Sequence, residues 1–162
     1  MWSTLVGLIE RWWREKPRLD LVRSVVHLRD SMKLCQERYE ACMEAKAAGT
    51  LENRCEPHPE LAWTHSLAIL GCAVIELDQV LEIFDVRVHQ SIRDYQRSES
   101  VVIAAQGVLG GAAQALNKPL EIDIHRVEIS SSFNQALGDL DEFIRKNFKP
   151  EEIRAVQDNR WR

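Results

Sequence analysis

Two short runs of acidic and histidine side chains are the part of this sequence best suited to chemistry. Asp78, Glu82, Asp85 and His89 are spaced four, three and four apart, which gathers them on one strip of a helix. Glu121, His125 and Glu128, spaced four and three, form a similar strip further along the chain. Brought face to face, carboxylates and imidazoles of this kind suit a borderline or hard divalent metal, or general acid–base work. Asp85 falls within the neighbouring apolar stripe, where burial would perturb its ionisation. The same residues also suit a plainer role, because the edge of an apolar stripe is where acidic side chains meet water and pair with Lys or Arg. The sequence favours that role.

The other reactive groups point the same way. Cys55-x-x-His58 is half of a zinc site, but no second pair stands at finger spacing. His65 and Cys72 are seven residues apart on one helix, about 10 Å, too far for a thiol and its base. They read as a hydrogen-bonded core histidine and a packed thiol. His27 lies off the apolar seam of its helix and reads as a surface residue. There is no glycine-rich phosphate loop, no G-x-S-x-G elbow and no H-E-x-x-H. No cofactor is implied, and an enzyme is the less favoured reading.

Aromatic residues supply a second kind of clue. Trp2, Leu5, Val6, Leu8, Ile9, Trp12 and Trp13 fall within an arc of about 160° at 100° per residue. Arg11, Arg14, Lys16 and Arg18 accompany them, and Arg160-Trp161-Arg162 repeats the chemistry near the other end. Seven apolar side chains, at about 1.5–3 kcal/mol each, carry on the order of 10 kcal/mol of burial. Such a face invites association if left in water. It can pack on the protein's own second face around Leu61, Ile69 and Cys72, dock to a protein or a second copy, or lie on an anionic membrane surface.

The elements that would position these groups are helical. The chain has 162 residues, 45% hydrophobic and 28% charged, with only 7 Gly and 5 Pro, which excludes a mainly disordered or collagen-like chain. Residues 1–16 form an amphipathic helix that Pro17 is expected to end. From about Leu19 to Ala48, Val25, Leu28, Met32, Cys35, Tyr39 and Cys42 make a narrow coiled-coil-like seam, stopped by Gly49. Pro59 opens a third helix with the stripe Trp63, Leu67, Leu70, Val74, Leu77, Leu81 and Phe84, which runs on through Val88 and Ile92 to Tyr95. Its first half, with a second apolar face, is expected to lie sandwiched between neighbours.

A fourth helix begins at Ser98 or Ser100, or continues the third as one bent rod. It carries no charge from Ser100 to Asn117, and Gly107, Gly110 and Gly111 would let other backbones come close. That composition predicts a central, buried helix. The fifth, from Pro119, carries Ile122, Ile129, Phe133, Leu137, Leu140, Ile144 and Phe148 on one stripe. Leu120, Ile122 and Ile124 alternate like a strand, but helix is preferred. Pro150-Glu151-Glu152 starts a short last helix.

The fold expected is therefore all-α: an up-and-down helical bundle of four main helices with an N-terminal amphipathic helix. Its parts are residues 1–16, the bundle at 17–149, and a short helix and basic tail at 150–162. Net charge is −4, yet 19–144 holds 11 basic against 20 acidic residues, so nucleic acid is not the expected partner. The absence of a signal-peptide pattern and of an apolar run long enough to span a membrane favours the cytoplasm and reduced thiols. The functional expectation is a non-enzymatic helical-bundle interaction protein, an adaptor or regulatory subunit, whose partner is another protein or a second copy. A metal-dependent or acid–base enzyme using the Asp/Glu/His strips is one alternative. A peripheral membrane protein held by residues 1–16 is another.

Overall fold

The computed structural model describes residues 2–50, 58–89, 95–117 and 126–158, with side chains for 16–50, 58–83, 101–117 and 129–158. Five helices follow one another: α1 (Trp2–Ala47), α2 (Pro59–His89), α3 (Tyr95–Asn117), α4 (Arg126–Asn147) and α5 (Pro150–Asp158). No strand occurs among the described residues. The fold is all-α. Each of the four long helices packs on the next in sequence, α4 returns to α1, and α5 closes against α1. Neighbours are antiparallel. Tyr39 meets Trp63 while His27 meets Glu76 across α1 and α2, and Gln36 meets Asn134 while Arg29 meets Asp141 across α1 and α4. This is the up-and-down bundle that the stripes predict.

The caps are those expected from the breakers. Gly49 ends α1 at φ 67°, and the Gly49 and Thr50 amides donate back to the carbonyls of Lys46 and Ala45. Pro59 and Pro150 occupy first helical positions, where a missing N–H removes no helical hydrogen bond. The separation of α2 from α3 settles the bent-rod alternative: Leu116 of α3 lies beside Gly71 of α2, so the chain doubles back. Residues 118–125, with the alternating apolar pattern, lie outside those described. From Arg126 the chain is helical.

Three expectations need correction. First, Pro17 does not end a helix; α1 passes through it as one helix of 46 residues, about 69 Å long. An internal proline costs about 3 kcal/mol, and here tertiary packing outweighs that. Pro17 is itself buried, Leu21, Val22 and Val25 are fully buried in the next two turns, and Arg18 is tied down by α4 and α5. Its guanidinium donates to Glu152 at 2.5 and 3.1 Å and to the Asn147 carbonyl at 2.8 Å, and it lies over the Phe148 ring.

Second, α1 is broader in its burial than a narrow seam. Val22 and Val26 join Val25, Leu28 and Met32 at zero exposure, because α2, α4 and α5 surround this stretch. Third, α3 is not the central helix. Val102, Ala105, Val108, Ala112 and Ala115 are buried, but Ile103, Gly107 and Gly110 face out.

Candidate functional site

The inner side of α2 is packed as its stripe predicts. Leu70, Ala73, Leu77 and Leu81 are buried, and Trp63 leans on Tyr39 with ring centroids 5.2 Å apart. The outer side is different. Leu61, Ile75 and Ile83 are 69%, 59% and 55% exposed, and helical geometry places them within an arc of about 80°. Ala68 and Cys72 share that face and are exposed too. Ile103 of α3, 61% exposed, stands near the level of Ile83 in the antiparallel pair. The sandwiched first half expected for this helix is thus open on one side, and His65 and Cys72 are exposed rather than packed.

The reason is the course of α1. Moving toward its N-terminus, α1 passes Tyr39 at the level of Trp63 and then His27 at the level of Glu76. Residues 2–16 therefore continue toward and past the C-terminal end of α2, away from Leu61 and Cys72. They do not fold back on this face. Trp2, Leu5, Leu8, Ile9, Trp12 and Trp13 belong to the α1 helix, and their side chains lie outside the described residues.

Electrostatics add a sign to the surface. No Lys or Arg occurs between Arg54 and Arg87. Glu60, Asp78 and Glu82 are exposed along α2, and Glu76 is half-exposed. His27 does not stand alone at the surface: its Nδ1 donates to Glu76 Oε2 at 2.7 Å, joining α1 to α2 at the rim. The sequence carried no signal for that contact, since His27 and Glu76 are 49 positions apart.

The outward side of α3 carries glycines. A methyl group placed on Gly107, Gly110 or Gly111 would meet nothing within 4 Å. Between α3 and α4 lies an open groove of about 360 Å³ whose polar walls are Gln114, Ser131, Ser132, Gln135 and Asp139. Amides, hydroxyls and one carboxylate make it a place for hydrogen bonding. It lacks an imidazole or thiol that would break bonds.

The acidic strips do not form a described centre. Asp78 and Glu82 are exposed on α2. The side chains of Asp85, His89 and Glu128, and the whole of Glu121 and His125, lie outside the described residues. Among the described residues no three of His, Cys, Asp or Glu are grouped so as to hold a metal ion, and α2 packs on α1 and α3 rather than on α4.

Of the cysteines, Cys35 and Cys42 are buried free thiols, as their shared face on α1 suggested. Burial pushes the Cys35 thiol up, against a smaller opposing pull from Ser66. Burial, then Glu60, raises Cys42 as well. Both are packing groups. Cys55 lies outside the described residues.

Among the described residues no helix is long and apolar enough to cross a membrane. No protein-family model, curated protein or solved structure matches this chain.

Proposed function

We propose that this chain is a non-enzymatic helical-bundle interaction protein, an adaptor or regulatory subunit, that works through the outer face of α2. The observation that carries the reading is the exposed line of Leu61, Ile75 and Ile83 on a helix whose other side is packed into the core. Scattered apolar residues on a surface need no partner, but aliphatic side chains aligned on one helix face do. A rim of carboxylates, with no Lys or Arg between Arg54 and Arg87, selects the partner by charge.

Photo-crosslinking tests this directly. A benzophenone amino acid replacing Ile75 in the full chain is expected to give a discrete adduct in cells, and the same residue replacing Glu142 on exposed α4 surface is expected to give none. Absence of any adduct at Ile75, or equal labelling from both positions, would sink the reading.

A further inference from the structure

We propose that the outer face of α2 receives a cationic amphipathic helix of a different protein, with its apolar stripe on Ile75 and Ile83 and its Lys or Arg side chains against Asp78 and Glu82. This rests on the interaction reading above and names the chemistry of the partner.

The face has the form of a helix seam. Leu61, Ala68, Cys72, Ile75, Gln79 and Ile83 follow one another at spacings of seven, four, three, four and four, and all six are exposed. Helical geometry sets them within an arc of about 80° along about 33 Å of α2. A partner helix of about six turns lies along such a line, with apolar anchors at the same three- and four-residue spacing.

The charge on this face lies along one flank and is unmet within the chain. Glu60, Asp78 and Glu82 are exposed and fall within an arc of about 40° on the side toward α3, where Gly71 lies beside Leu116. α3 offers them no counter-charge, because it has no charged residue from Ser100 to Asn117. Elsewhere the chain supplies its own: Asp20 lies with Arg23, Asp30 with Arg29, Glu142 with Lys146 and Glu152 with Arg18. Among the described residues Asp78 and Glu82 pair with no cation. On the opposite flank Glu76 is already bonded to His27. The partner this fits carries its cations along one edge of its apolar stripe.

The same charge works against two other occupants. Two copies of this face would bring carboxylate against carboxylate, and an anionic membrane surface would meet the same repulsion.

Peptide display on the full chain tests the partner class. The probe is a library of helical peptides with Leu at the a and d heptad positions and every other position drawn equally from Lys, Glu, Gln and Ala. It is counter-selected on Ile75→Asp/Ile83→Asp, which changes only exposed positions. Enriched peptides are expected to carry more Lys than Glu, concentrated on one edge. The best of them, made synthetically, is expected to lose about tenfold or more in affinity on Asp78→Arg/Glu82→Arg and to weaken as salt rises. Replacing its lysines by glutamates is expected to restore binding to that variant. Circular dichroism checks that both variants are folded.

Enrichment without an excess of Lys overturns the proposal, as does enrichment no greater than on Ile75→Asp/Ile83→Asp or an affinity that Asp78→Arg/Glu82→Arg leaves unchanged. So does a wild-type chain that sediments as a dimer and becomes monomeric on Ile75→Asp/Ile83→Asp, since a second copy would then fill the face. The benzophenone adduct at Ile75 separates this failure from that of the wider reading. An adduct whose cross-linked segment is not cationic removes only the cationic helix, whereas no adduct at all removes both.

Discussion

Residues 21–32 of α1 and residues 100–117 of α3 exchange the roles that their charges suggest. The first stretch contains Arg23, Arg29 and Asp30, yet Leu21, Val22, Val25, Val26, Leu28 and Met32 within it are wholly buried. The second has no charge at all, and Ile103, Gly107 and Gly110 within it face solvent. What distinguishes them is apolar volume at helical spacing. A buried Leu, Val or Met contributes about 1.5–3 kcal/mol, and a buried Ala little more than the roughly 0.8 kcal/mol of one carbon. The buried face of α3 is largely Ala and Val, so it packs one side and has little to gain from packing another. Lack of charge permits burial; it does not drive it.

The sharpest way to break this comparison is to truncate one side chain from each stretch. Leu28→Ala on α1 is expected to cost about 2–5 kcal/mol in urea denaturation, because the residue is fully enclosed. Ile103→Ala on α3 is expected to stay within about 0.5 kcal/mol of the parent. Equal losses would mean that α3 is covered in solution after all.

Glycine gives a smaller effect of opposite sign. Gly107→Ala and Gly110→Ala each replace a helix-interior glycine whose added methyl meets open space, so each is expected to stabilise the chain by about 0.5–1 kcal/mol. A loss of stability at either position would show that another backbone approaches there.

The smallest effect lies at the start of the bundle. The hydrogen bond from Arg18 holds the Glu152 carboxyl below the usual glutamate range, and the Lys149 amide adds to it at 2.8 Å. A carboxyl shifted down stabilises the fold above its unfolded pKa, and that gain is lost as pH falls through the folded value. Glu152→Gln is therefore expected to cost under about 1 kcal/mol at neutral pH, given the partial exposure of the pair. The cost should fade in acid. A deficit that persists unchanged to low pH would show that the pair contributes through packing alone.

Much of the fold was legible in the sequence because stripes, prolines and Gly49 act locally. Val25, Leu28, Met32, Cys35, Tyr39 and Cys42 are all buried as their spacing requires. Pro59 and Pro150 start the helices they were expected to start. What could not be read depends on distant partners. Pro17 breaks a helix in isolation, but here Arg18 is fastened to a residue 134 positions away. His65, Cys72 and the outer isoleucines of α2 look like core until the path of α1 is known, because burial needs a neighbour and the sequence does not say where residues 2–16 go. The candidate surface was legible only as a second apolar face, with packing of residues 1–16 on it one of three readings the sequence left open.

The closure of α4 onto α1 also sets a timetable for synthesis. About 100 residues separate the end of α1 at Ala47 from the end of α4 at Asn147. At roughly 5–20 residues per second, α1 waits about 5–20 s for that partner after it has been made. α2 follows within a short stretch of chain and covers one flank, so α1 and α2 are the first packing partners the order of synthesis offers. The flank that waits for α4 carries Arg29 and Gln36, which later meet Asp141 and Asn134. In the nascent chain these same groups keep that flank hydrated until its partner arrives.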